Sequence, residues 1–173
     1  MASEILPALA LGAGVVGTLI AQSLRERRIG DREAAARAAE REAARDAFQR
    51  ETLLDLQDAM RVLIRNALLI VQHRRSVYAS MGHYGRVPDP EDLSDGALDA
   101  NTGVTRLWPR VLDDGLREHV RQTQAACTDL SLPPMPEEDD AVLDAEARKA
   151  WMDLAHEGSA LNEHIGVVLR ALL

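Results

Sequence analysis

The side chains in this sequence that could do chemistry are its five histidines, its single cysteine and its many carboxylates. Helical bundles hold di-metal centres with two Glu-x-x-His motifs and two further glutamates. The closest pattern here is Asp153-x-x-His156, which occurs once and has Asp in place of Glu, and Glu163 precedes His164. An exposed acidic helix face explains both pairs more simply, so we expect no metal ligand and no cofactor. The other histidines have no partner at ligand spacing and are expected at helix ends or in solvent: His73, His83 and His119.

The sequence also lacks the residues that usually carry nucleophilic catalysis or bind nucleotides. Cys127 lies on an apolar stripe and is followed by Thr128 and Asp129, not by a cation that would lower its pKa. The sequence has no G-x-S-x-G and no S-x-x-K motif, and its only lysine, Lys149, is far from any glycine-rich loop. We therefore expect no enzyme activity and no small-molecule substrate.

One nucleotide-binding pattern does occur, as Gly12-x-Gly14-x-x-Gly17. A dinucleotide fold requires a second apolar strand after this motif, with an acidic residue about 20 positions further on. Residues 32–50 are instead a run of Ala, Glu and Arg without strand character. The match is therefore interpreted as accidental.

Residues 5–21 carry no charge and are typical of a transmembrane helix. Seventeen residues span about 26 Å as a helix, the short end of what crosses a hydrocarbon core of roughly 30 Å. A cleavable signal peptide has its positive charge before the apolar run, and a buried helix of a soluble protein has a polar face; this segment has neither. We expect a single-pass anchor over residues 1–24, with small residues that pack against a second helix: Ala10, Ala13, Gly14 and Gly17.

Charge places the rest of the chain relative to this anchor. Arg25, Arg27 and Arg28 follow the apolar run and are expected at the lipid headgroups, whereas only Glu4 precedes it. The positive-inside rule then predicts an N-terminus outside the cell membrane and a cytoplasmic C-terminal body. Residues 1–86 have a net charge of +3 and residues 87–173 a net charge of −11, so the acidic half disfavours nucleic acid as a partner.

The spacing of apolar residues predicts an all-α chain. Residues 25–50 are rich in helix formers with opposite charges at i,i+4, which is typical of a solvated helical stalk. Residues 51–173 predict an antiparallel bundle of about four helices, one of them begun by a capping Asp89 before Pro90. Apolar side chains recur there at steps of three and four residues, and these are expected to form the bundle core: Leu53, Leu56, Met60, Leu63, Ala67, Ile70, Leu116, Val120, Cys127, Trp151, Leu154, Leu161, Ile165, Val168 and Leu172.

These observations favour a membrane-anchored helical bundle that acts as an interaction or scaffold module. Its expected partners are the lipid bilayer and a protein, and self-association into a homo-oligomer is a further expectation. The alternative is a soluble helical oligomer, a structural or assembly component whose apolar N-terminal helix is buried between subunits. A reversed orientation in the membrane is a third arrangement, against which the arginine cluster argues.

Overall fold

Four α-helices and one 3-10 turn make up the described chain. The structure is a computed structural model that describes residues 5–84, 88–133 and 139–172, with side chains from residue 25 onward except residue 26. The elements are α1 (Ile5–Met81), α2 (Glu91–Leu107), a 3-10 turn (Trp108–Arg110), α3 (Asp114–Ser131) and α4 (Asp140–Ala171). The described ranges contain no strand, which confirms the all-helical prediction.

The chain divides into two compact units, Met1–Asp46 and Ala47–Leu173. In the first unit, the side chains of residues 27–45 are all exposed, Arg27 and Arg28 among them, and so is Arg25. Arg37 and Glu33 form an ion pair there at 2.9 Å, one helical turn apart. No described helix combines the length and the apolar character needed to cross a membrane. The residues predicted to pack the anchor lie outside the described side chains: Ala10, Ala13, Gly14 and Gly17.

The second unit is a helical bundle in which neighbouring helices run antiparallel. The contacts between helices show that their chains run in opposite directions, because along each pair one residue number falls as the other rises. These contacts are Ala59–Gly103 and Asn66–Gly96 between α1 and α2, Gln57–Asn162 and Arg75–Asp144 between α1 and α4, and Asp113–His164 and His119–Glu157 between α3 and α4. Gln49 of α1 binds the connection that follows α2, because its side-chain amide donates a hydrogen bond to the Arg110 carbonyl at 2.9 Å.

The bundle core is a set of aliphatic side chains along the facing stripes of the helices. Burying such side chains is the main stabilising contribution to a bundle of this size. Val168 and Leu172 are half-buried and pack against this core. The predicted core residues that the structure buries are Leu53, Leu56, Met60, Leu63, Ala67, Ile70, Leu116, Val120, Cys127, Leu154, Leu161 and Ile165.

The placement of Trp151 in the core requires correction, because its side chain is 37% exposed. At about 100° per residue, Trp151 points about 60° away from Leu154 on α4. Ala150 lies about 40° from Leu154 on the other side and is half-buried. Leu143 is also buried, so the N-terminal part of α4 faces the bundle through a stripe that passes Ala150 instead of Trp151.

A buried arginine joins three parts of the bundle. The Arg74 side chain is 4% exposed and forms a two-pronged ion pair with Asp89, whose side chain is 15% exposed. The same guanidinium donates to the carbonyls of Leu130, Ser131 and Leu132 at 3.0, 2.9 and 2.8 Å, where α3 ends. Asp89 therefore binds Arg74 and makes no side-chain cap for α2, whose N-cap is the next residue.

Candidate binding groove between helices α1 and α4

An apolar groove of about 520 Å³ runs along the outside of the α1–α4 contact. Ligand sites in proteins are typically clefts of about 300–1,000 Å³ with apolar walls and a few polar groups, so its size and lining suit binding. Residues from about three turns of each helix line it: Gln57, Met60, Arg61, Ile64, Arg65, Leu68 and Leu69 of α1, and Ala155, Gly158, Ser159, Leu161, Asn162 and Ile165 of α4.

The groove exists because α4 presents small side chains where α1 presents large ones. Ala155, Gly158 and Ser159 lie on the groove side of α4, opposite Ile64 of α1. A Cβ atom placed on Gly158 would lie 3.1 Å from Cδ1 of Ile64, so the two helices approach closely at this point. The two helices approach closely at Gly158, and the short side chains of Ala155 and Ser159 beside it leave the groove open above this contact.

The floor of the groove belongs to the bundle core. Met60, Leu161 and Ile165 are almost fully buried, and each was predicted as a core residue from the periodicity of its helix. Because these side chains are fixed by packing within the bundle, the floor is preformed. An apolar ligand would therefore bind without the entropic cost of ordering it.

Polar groups lie at the edges of the groove. Gln57 donates a hydrogen bond to the amide oxygen of Asn162, which links the two walls. Arg61 forms an exposed ion pair with Asp58 at 2.9 Å, and Arg65 lies one turn further along the same wall. Among the described residues that line the groove, two are arginines and none is acidic.

This local charge differs from that of the whole chain, which has a net charge of −8. A groove with an apolar floor and an arginine edge complements a partner that carries an apolar ridge flanked by carboxylates. An amphipathic helix laid into such a groove uses side chains at i, i+3 or i+4 and i+7 as anchors. The size, apolar floor and polar edges of the groove are thus suited to holding a partner.

Cys127 lies in the core, away from this groove. Its side chain is fully buried, and burial raises the pKa of the thiol to about 12. The thiol is therefore protonated at neutral pH and packs as a small apolar group, as its position on an apolar stripe indicated.

The structure brings together two histidines that the sequence separates by 45 positions. His119 of α3 and His164 of α4 face each other with their Nδ1 atoms 3.2 Å apart, although the sequence offered no partner for His119. No signal in the local spacing could have paired them, because the contact depends on the register between two helices. In the described residues no group of three or more His, Cys, Asp or Glu side chains could hold a metal ion.

The chain matches no protein-family model, no curated protein and no solved structure.

Proposed function

We propose that this protein is a single-pass membrane protein whose helical bundle is an interaction module and binds a partner protein in the α1–α4 groove. The observation that carries the proposal is the preformed apolar floor of that groove beside Arg61 and Arg65. Under this proposal residues 1–24 fix the protein in the cell membrane, and the solvent-exposed part of residues 25–50 links this anchor to the cytoplasmic bundle. The proposal assigns no reaction to the chain.

Two further features support the arrangement. The exposed, charged surface of residues 27–45 is what a solvated spacer requires, and it offers few apolar side chains for packing. The arginines at positions 25, 27 and 28 are exposed as well, which suits contact with anionic headgroups. The apolar run that precedes them supports the anchor through its sequence alone.

Photo-crosslinking in intact cells tests the binding groove. A photoreactive amino acid replaces Ser159, which is exposed on α4 at the groove, and in a matched control it replaces Thr128, which is exposed on α3. We expect a discrete adduct of higher mass from position 159 and none from position 128. Absence of an adduct at 159, or equal adducts at both positions, would contradict a partner in the groove.

Fractionation tests the anchor separately. We expect the full chain in the carbonate-resistant pellet and a chain that lacks residues 1–24 in the supernatant as a folded, monomeric bundle. Recovery of the full chain in the supernatant would refute the membrane assignment. If removal of residues 1–24 instead dissociated or unfolded a larger assembly, the alternative of a soluble helical oligomer would replace it.

A further inference from the structure

The α1–α4 groove has one charged wall and one uncharged wall. Arg61 and Arg65 lie one turn apart on α1, whereas the lining residues of α4 are all uncharged. Arg61 pairs with Asp58, and Arg65 makes no ion pair with any residue that the structure describes. We propose, as an extension that rests on the proposed function, that the groove binds an amphipathic helix of a different protein. This helix carries carboxylates only on the flank that faces α1, and Trp151 anchors one end of it.

The dimensions of the groove set the length of the bound helix. The lining residues extend from Gln57 to Leu69 on α1 and from Ala155 to Ile165 on α4, which is about 18 and 15 Å along the two helix axes. A helix of about 10–12 residues has this length. Its apolar side chains at i, i+3 or i+4 and i+7 would pack on the buried floor of the groove.

Charge selects the flank on which the bound helix carries its carboxylates. Arg65 attracts a carboxylate at its own level, and a second carboxylate one turn away reaches Arg61. On the other side of the groove, Glu163 is exposed on α4, one turn beyond Ser159 and outside the lining. A carboxylate on the flank that faces α4 would meet this like charge, which disfavours it. The bound helix therefore has an acidic pair at i and i+4 on one flank and neutral residues on the other.

Trp151 extends the apolar surface beyond one end of the groove. It precedes Ala155 by four residues and Gly158 by seven, so the three lie on the same face of α4. The contacts between α1 and α4 on either side place Trp151 level with Leu68 and Leu69, which line the groove. The indole is 37% exposed. Tryptophan is enriched among the residues that carry most of the binding energy at protein interfaces, which suits it to anchor the bound helix.

A second copy of this chain does not offer such a helix in its described residues. The bound helix needs exposed apolar side chains that are three or four residues apart. No two of the large apolar side chains exposed in the described ranges have this spacing: Ile29, Phe48, Leu54, Val62, Met81, Leu98, Leu112, Leu132, Val142, Trp151, Met152 and Val167. The bound helix is therefore assigned to a different protein.

A displayed peptide library tests the charge preference. The probes are helices of about 14 residues with leucine at i, i+4, i+7 and i+11 and with Glu, Gln or Lys at the flanking positions. They are selected on the purified full chain in lipid nanodiscs, and we expect enrichment of Glu at two positions one turn apart on one flank. Arg65→Glu should change this preference to Lys. Arg106→Glu is the control, because it changes an exposed arginine of α2 outside the groove and should leave the preference unchanged.

The fluorescence of Trp151 reports the anchor directly. The chain has two tryptophans, so a Trp108→Phe variant gives the emission of Trp151 alone. Binding of the most enriched peptide should shift this emission to shorter wavelength. Trp151→Ala should weaken the affinity for that peptide about 10–30-fold. Val142→Ala removes an exposed apolar side chain elsewhere on α4 and should bind the peptide like the wild type.

The results that overturn the inference differ from those that overturn the proposed function. Enrichment of Lys, selection without a charge preference, or an unchanged preference in Arg65→Glu would refute the acidic helix, and a Trp151→Ala variant with wild-type affinity would refute the anchor. If crosslinking at Ser159 still yields a heterologous adduct, the groove remains a binding site for a partner of other chemistry. An adduct of twice the chain mass would assign the groove to a second copy and overturn the inference. Absence of any adduct at Ser159 would overturn the proposed function and the inference together.

Discussion

Replacing Arg74 by methionine should lower the free energy of unfolding of the bundle by about 3–5 kcal/mol. The Arg74 side chain is 4% exposed and that of Asp89 is 15% exposed, so the substitution leaves a nearly buried carboxylate without its partner. It also removes the donor to three partly buried carbonyls at the end of α3, and these lost hydrogen bonds contribute to the same loss. Methionine fills much of the same space, so the loss reflects missing hydrogen bonds and charge more than a cavity.

The measurement is urea unfolding of the full chain followed by far-ultraviolet circular dichroism, with a thermal melt beside it. For a protein of 173 residues, a loss of this size corresponds to a fall of roughly 6–20 °C in melting temperature. Arg75→Met is the matched control, because this neighbouring arginine is 38% exposed and pairs with Asp144 at 2.8 Å. A partly exposed pair with a single hydrogen bond is expected to contribute less, about 0–1 kcal/mol.

Two further variants separate charge from geometry. Arg74→Lys keeps the charge but replaces the five donors of the guanidinium by one ammonium, so it should recover only part of the loss. Arg74→Met combined with Asp89→Asn should cost less than the sum of the two single changes, because each single variant strands a buried charge. If Arg74→Met costs less than 1 kcal/mol, or no more than Arg75→Met, the guanidinium does not join the helices as described.

Three other predictions test the packing. Gly158→Val should lower the free energy of unfolding by about 1–3 kcal/mol, because the valine side chain would meet Ile64. Gly166→Val is the control and should be close to neutral, because only the flexible side chain of Arg170 lies nearby. Equal urea midpoints for the two variants would contradict this prediction. Burial raises the pKa of Cys127 from 9.0 to about 12, so the unfolded thiol ionises first. The free energy of unfolding should therefore fall by about 1.4 kcal/mol per pH unit between pH 9 and 12 because of this thiol. A Cys127→Ala variant whose free energy of unfolding falls with the same slope would refute the prediction. Gln49→Ala should lower the free energy of unfolding by about 1–3 kcal/mol, because the Arg110 carbonyl and the Leu112 amide both lose their hydrogen-bond partner. An unchanged urea midpoint would show that these two hydrogen bonds do not stabilise the bundle.

The helices and most of their buried faces could be predicted from sequence because each depends on residues close together in the chain. The step of three and four residues through Leu53, Leu56 and Met60 places these side chains on one face wherever the helix lies. The same local logic works at Asp113, whose Oδ1 accepts a hydrogen bond from an amide of the first turn of α3 at 2.6 Å. It fails at Trp151, because a heptad pattern tolerates either of two adjacent positions at one step and the neighbouring helix decides between them.

The groove and the polar clusters could not be predicted, because they depend on how far one helix slides along another. Asp89 has the sequence context of a helix cap, yet its carboxylate binds Arg74, fifteen positions away on another helix. Nothing in the sequence pairs His119 with His164, and the two meet only because α3 and α4 pack antiparallel at one register. That register is set by the aliphatic core side chains, so the same packing that buries the core also selects which polar groups meet. A shift of one helical turn, about 5.4 Å, would preserve much of the apolar pattern and separate every one of these pairs. Chemistry in a bundle of this kind is therefore best sought among side chains at the same level on neighbouring helices, and sequence motifs within one helix are a poor guide to it.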